Sequence, residues 1–390
     1  MKKYLLYILC ALTLCSCIYP YSTKFPEDAP SRLVVSGDIF PGEETRIYLG
    51  YVFPLGTATG TMRKTVPTGN VTVENDRGQR FQGRRKAGGL YVLDTRKAPV
   101  DASYRLMIVL SDGRVFCSPW SIVYKAPEIT DLSYATDSDK VYLKISLKGD
   151  EAVRHFRWDY TETWEYHAWF RPELMYVPGL PVPDRENPSK IYRERNSDDE
   201  DFYYCWNSAE NVEPCLATTE DLSDNIVEGN VFHTMSRADA KVSTMYSILV
   251  TVCGMSKGAY AYLNHQSAVS NMTGDLFSPT PSEMSGNLVC IDDADDVAIG
   301  YVNVTTRNTK RIFVSGVYYS TFDPNTLLFI PEADEDGNHN FEQLFSSNSP
   351  VRGGNPLTVN NVYWGPKRCT DCRAWGGSKN KPDWWPTDHE

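Results

Sequence analysis

Gly254-Met255-Ser256-Lys257-Gly258 is the first place where residue types and spacing could do chemistry. It matches the G-x-S-x-G nucleophile elbow, in which a serine on a strand-to-helix turn attacks a carbonyl after a histidine takes its proton. Strand and helix signals do flank it, but the chain lacks the alternating strands and helices of an α/β-hydrolase. None of the later histidines, His265, His339 and His389, has a triad setting. Ser256 as a helix N-cap explains the same residues more simply. In Glu332-Ala333-Asp334-Glu335-Asp336-Gly337, the acids Glu332, Asp334 and Asp336 alternate as at the start of a calcium loop. The twelfth position is Gln343 in place of a bidentate Glu, so a solvated acidic turn is preferred. Asp292-Asp293-Ala294-Asp295-Asp296 is a second acidic knot, read the same way.

Cys369-Thr370-Asp371-Cys372 is a C-x-x-C. Redox or zinc chemistry would need a thioredoxin-like setting or a second ligand pair, and neither is visible. A local disulfide between Cys369 and Cys372, stapling the C-terminal tail, is the expectation. Cys205 and Cys215 lie within reach of a hairpin pairing, and spacing leaves the connectivity open. The remaining candidate is aromatic. From His155 to Phe170, Phe156, Trp158, Tyr160, Trp164, Tyr166 and Phe170 fall at even positions, and Arg157, Asp159, Thr161, Thr163, Glu165 and His167 at odd ones. Period two over this length means a long strand, or two, with one aromatic face. That face is read first as core. Its alternative is a stacking platform for sugars or peptides, with Trp164, Tyr166, Trp169 and the loop residue Tyr176 as candidate ligand-binding residues.

The elements that must hold these residues are mostly strands. The N-terminus comes before them. Lys2 and Lys3 precede an apolar run from Tyr4 to Leu14, too short to span a bilayer but right for a signal peptide. Leu14-Cys15-Ser16-Cys17 follows, a lipobox whose Cys17 is the lipidated residue. Residues 1–16 are therefore read as a lipoprotein signal peptide and 17–30 as a tether punctuated by Pro20, Pro26 and Pro30. With Cys17 lipidated, the thiols left after the signal are odd in number, so at least one is unpaired within the chain.

Beyond the tether, residues 31–124 alternate short β-branched runs with turns such as Asn75-Asp76-Arg77-Gly78 and Asp112-Gly113. This argues for an N-terminal immunoglobulin-like β-sandwich. Residues 125–390 read as a larger β-rich domain with a Pro-broken loop at 171–201 and one clear helix at 256–272. Late strands are expected over 297–306 and 311–319. The fold class is mainly β. The 390 residues are 41% hydrophobic, a globular balance, and a net charge of −11 with no Lys/Arg cluster excludes a nucleic-acid partner.

Several separated motifs then coincide in order. The lipobox is followed by Leu33-Val34-Val35-Ser36-Gly37-Asp38-Ile39, the Trp158 to Tyr166 strand and Cys205-Trp206. Phe277-Ser278-Pro279-Thr280-Pro281, Gly286-Asn287-Leu288 and Gly300-Tyr301 come later, then Cys369-Thr370-Asp371-Cys372 and Lys381-Pro382-Asp383-Trp384-Trp385. This order resembles the Bacteroidetes lipoprotein family known as domain of unknown function 4249, over nearly the whole mature chain. The resemblance implies an outer-membrane lipoprotein, anchored through its lipid, that assists a TonB-dependent transporter in capturing a nutrient. The cell-surface face is preferred to the periplasmic one. A structural or adhesive surface protein is the alternative, and a serine hydrolase using Ser256 ranks below both. No catalytic residue and no cofactor is assigned.

Overall fold

The computed structural model describes residues 32–52, 67–176, 192–196, 199–272, 286–332, 335, 341–353 and 362–386. The signal peptide, Cys17 and the tether lie outside these residues, as do Asp334, Asp336 and the side chain of Tyr176.

The first unit is an antiparallel sandwich. One sheet has the order β1-β2-β6-β5, from β1 (Arg32–Ser36), β2 (Glu44–Val52), β5 (Arg84–Arg85) and β6 (Leu90–Asp94). The facing sheet contains β3 (Gly69–Asn75), β4 (Arg80–Gln82), β7 (Tyr104–Leu110) and β8 (Val115–Cys117). Alternation along each strand makes this arrangement. Tyr104, Leu106, Ile108 and Leu110 point inward from β7 and meet Ile47, Leu49, Tyr91 and Leu93 across the core. The Asp112-Gly113 hairpin forms as expected between β7 and β8, with Gly113 at φ 95° and the Asp112 side chain accepting from the Arg114 amide.

The expected boundary at 124 is where the structure differs. Residues 286–305 return to this sandwich, bury Leu288, Cys290, Ala298, Val302 and Val304 in its core, and add β18 (Val289–Cys290) beside β8. The strand expected over 297–306 runs parallel to β1 and the residues just after it as isolated bridges, Val34 to Ile299 and Ile39 to Val304. The physical reason is the open edge of β1, whose polar groups the return satisfies: the Val35 amide donates to the Ile299 carbonyl and the Ile299 amide to Leu33, both at 2.8 Å. Gly300 permits this approach, because at φ 118° a Cβ would strike the Val35 carbonyl oxygen.

The second unit is also two sheets. β9 (Glu128–Thr136), β10 (Lys140–Lys148) and β16 (Ile226–Ser236) form one. It packs on a central sheet of β14 (Tyr204–Glu210), β11 (His155–His167), β17 (Met245–Met255) and β19 (Arg307–Ser315), with β15 (Cys215–Thr218) also paired to β11. Val141, Leu143, Ile145 and Leu147 meet Phe156, Trp158, Tyr246, Ile248, Val250 and Val252 between them. β19 lies earlier than the 311–319 expected for it. Helix α1 (Lys257–Met272) follows β17 and buries Ala259 and Tyr262. Of the expected loop at 171–201, the described ends form paired strands, β12 (Leu174–Tyr176) and β13 (Tyr192–Glu194). A last hairpin, β20 (Asn348–Gly353) with β21 (Val362–Pro366), precedes a C-terminal segment laid against β14, where Trp206 and Ser378 exchange backbone hydrogen bonds at 2.8 Å.

Candidate functional site

Strand β11 sends its two faces to different work. Its even face is core. Phe156 and Trp158 are buried, Trp164 packs partly buried against the same core, and the Tyr166 hydroxyl donates to the Cys372 carbonyl at 2.7 Å in a buried contact. Trp169 stands off this face, half-buried against Phe322 and Trp375, with ring centroids 4.9 and 6.0 Å apart. Trp164, Tyr166 and Trp169 therefore do not converge on one platform, and Tyr176's side chain is outside the described residues. Glu162, also on the even face, is held by Tyr246 Oη and Lys241 Nζ at 2.9 Å each, with His233 Nε2 3.1 Å away.

The odd face is polar and forms the floor of a trough. Cross-strand register places Arg157 beside Cys253 and Arg307, and Asp159 beside Thr251 and Thr309. The next row runs Glu210, Thr161, Leu249 and Arg311 across four strands. Residues paired in register share a face, so these side chains line one surface. The first sandwich walls one end, where the Arg307 guanidinium lies 5.0 Å from the Phe40 ring centre and pairs with Glu43 at 2.5 Å. The C-terminal segment walls the other. Trp385 donates from Nε1 to the buried Glu165 at 2.9 Å, and Trp384 stacks on Arg311 with 3.6 Å between guanidinium and ring centre.

A cavity of about 280 Å³ opens on this floor over Arg157, Asp159, Thr161 and Glu210, under the Phe40 wall. A second of about 510 Å³ lies between the first sandwich and α1, lined by Asp38, Tyr262 and Tyr301. Phe40, Arg157 and Asp159 line both, so one aromatic ring and a charged pair divide them. Arg157 Nη2 pairs with Asp38 at 2.8 Å across the junction of the two units. Its Nε sits 3.2 Å from Asp159 but off the hydrogen-bond direction, which leaves that buried N–H without an acceptor. The nearby Asp38 carboxylate holds Arg157 firmly charged against its burial. Burial pushes the Asp159 carboxyl up, and Arg157 corrects this only in part because Asp38 shares the guanidinium. Burial also pushes the neighbouring Cys253 thiol up to about 12, so it stays a neutral wall and not a nucleophile.

The other sequence candidates fall elsewhere. The disulfide is Cys205–Cys372, and Cys369 is a buried free thiol, so the expected Cys369–Cys372 staple is corrected. The reason is tertiary. Cys369 and Cys372 stand on successive short turns, and the backbone contact from the Cys372 amide to Phe202 delivers Cys372 to β14. Cys215 is likewise free. The Ser256 hydroxyl accepts from the Ala259 amide at 3.0 Å and lies 3.4 Å from the Tyr301 hydroxyl. That is the geometry of a helix cap, and no His or Asp bonds to it among the described residues. Glu332 is exposed, while Asp334 and Asp336 are outside the described residues. The second acidic knot is a tight turn in which Asp296 pairs with Arg114 at 3.1 Å. Among the described residues no group of three or more His, Cys, Asp or Glu side chains could hold a metal ion.

The aromatic face of β11 does not contain Asp38, Arg157, Asp159, Glu210, Arg307 and Arg311, the charged groups that line the trough and its neighbouring cavity. One signal was present: charged and Thr residues alternate along a strand long and apolar enough to be central. An antiparallel sheet with one apolar and one polar face packs the first on a core and leaves the second open to solvent or to a ligand.

No curated protein matches the chain. One solved structure that it is similar to is trypsin-activated alpha-2-macroglobulin from Escherichia coli, at 12% identity and a TM-score of 0.17, covering 59% of this chain and 15% of that one. At that score the likeness carries no argument. The family model described as Domain of unknown function (DUF4249) matches residues 18–311, which is well over half of the chain, and the chain belongs to that family.

Proposed function

We propose that this chain is a lipid-anchored binding subunit of the outer membrane, attached through Cys17, that captures a nutrient for a TonB-dependent transporter. The observation that carries the reading is the trough: a polar face on the central sheet, walled at both ends and opening into a cavity over the Arg157–Asp159 pair. A charged cavity walled by the first sandwich is the kind of concave surface, with a few convergent polar groups, on which small ligands are captured. The lipobox supports the anchor, and the family resemblance supports the transporter. Among the described residues no helix is long and apolar enough to cross a membrane.

Purification of the tagged protein from detergent-solubilised outer membranes, at native expression, tests the reading. A TonB-dependent transporter is expected to co-purify, and a Cys17→Ala variant is expected to lose membrane association and metabolic labelling by fatty acid. Recovery of the protein alone would count against the reading.

A further inference from the structure

The trough carries opposite charges on its two sides. Asp159 and Glu210 stand on the β11–β14 side. Asp159 shares Arg157 with Asp38, so those three groups together keep one negative charge in excess. Glu210 is exposed and makes no ion pair among the described residues. Arg311 stands on the β19 side. It donates to the Ser247 hydroxyl at 2.9 Å and stacks on Trp384, but no carboxylate among the described residues pairs with it. Burial pushes its pKa down with no acid to offset the cost.

The spacing between these groups selects a ligand. Glu210, Thr161, Leu249 and Arg311 occupy one row over four strands, so the outer two lie roughly 14 Å apart at ~4.8 Å per strand. A free amino acid is too short to reach both sides, whereas three extended residues measure roughly 10 Å and the two side chains cover the remainder. A neutral sugar would leave both charges unused. The hydroxyls of Thr161, Thr251 and Thr309 on the floor suit backbone amides, and Phe40 and Trp384 at the walls suit apolar side chains. We infer that the trough takes a short zwitterionic peptide of about three residues laid across the strands, its amine against Asp159 and Glu210 and its carboxylate against Arg311. This rests on the reading of the trough as a capture site.

Calorimetric titration of the purified full-length lipoprotein in detergent tests it, with trialanine, N-acetyl-trialanine and trialanine amide as probes. Trialanine is expected to bind, and each cap to weaken binding at least about tenfold. Arg311→Gln should bind the free and amidated peptides alike while still discriminating against the acetylated one. Glu210→Gln, on an exposed side chain that folding does not need, should narrow only the gap between free and acetylated peptides. Equal binding of capped and free peptides would overturn the inference. So would absence of binding by all three probes at millimolar concentration; if the transporter still co-purified in that case, the transport reading would stand alone. Cap-sensitive peptide binding without any co-purifying transporter would instead uphold the inference and remove the transporter.

Discussion

Glu162 is the charge that the second core tolerates, and its partners explain how. Burial works against its charged form, and the His233 and Lys241 side chains beside it more than offset that, holding its carboxyl at about 2 against an ordinary 4.5. Because the folded value is the lower one, the carboxylate contributes stability above about pH 4.5 that is lost as pH falls through about 2. Glu162→Gln is expected to cost about 3 kcal/mol at neutral pH, by leaving Lys241 without its counter-charge. Urea unfolding between about pH 5 and 2 checks the sign: the wild type should lose stability steeply over that range and the variant much less. Pattern alone hid this residue. It interrupts the aromatic face at an even position, and nothing local shows that β16 and the turn before β17 supply its partners.

At the scale of elements, the C-terminal segment depends on the Cys205–Cys372 bond and on Tyr166 beneath it. The bond closes a separation of 167 residues, for which the chain-entropy account gives an upper value of about 5 kcal/mol. A Cys205→Ser/Cys372→Ser double variant should unfold at lower denaturant, and release of the tail should expose Trp385 and the buried Glu165 beneath it. Differential scanning calorimetry with tryptophan fluorescence reads both effects. Non-reducing peptide mapping should find Cys205 linked to Cys372 and a free thiol at Cys369. Strand positions and the α1 helix were legible from periodicity, because inward and outward residues alternate at fixed periods. The disulfide partner was not, because two cysteines close in sequence are no evidence against a third brought in by β14.

For the whole molecule, the decisive feature is that the first sandwich is finished by residues 286–305, which arrive after β17 and α1 of the second unit and before its strand β19. The chain therefore passes between the two units three times, near residue 125, between α1 and residue 286, and on entry to β19, and a buried ion pair from Asp38 to Arg157 joins them. Gly300→Ala should break the close parallel approach to β1 and cost at least about 3 kcal/mol, since both its φ and the Val35 carbonyl forbid a Cβ. Its effect should spread beyond the sandwich. Hydrogen exchange is expected to quicken in β1 and the 286–305 return, and also at the Arg157–Asp38 junction. Faster exchange confined to 298–302 would show that the return is only an appendage.

The sequence by itself determined the local periods: which strands form, where their turns fall, which helix is capped by Ser256, and that one face of β11 is apolar. These follow from side-chain alternation and capping chemistry, which act over a few residues. Tertiary structure decided everything that needed distant residues to meet. It returned 286–305 to an open strand edge, paired Cys372 with Cys205, and laid the Trp384–Trp385 tail over one end of the central sheet. By setting Asp38 of the first sandwich against Arg157 of the second, it turned the polar odd face of β11 from an unremarked alternation into the floor of a charged trough. Backbone hydrogen-bond closure and buried charge pairing are non-local requirements, and no window of sequence contains both partners.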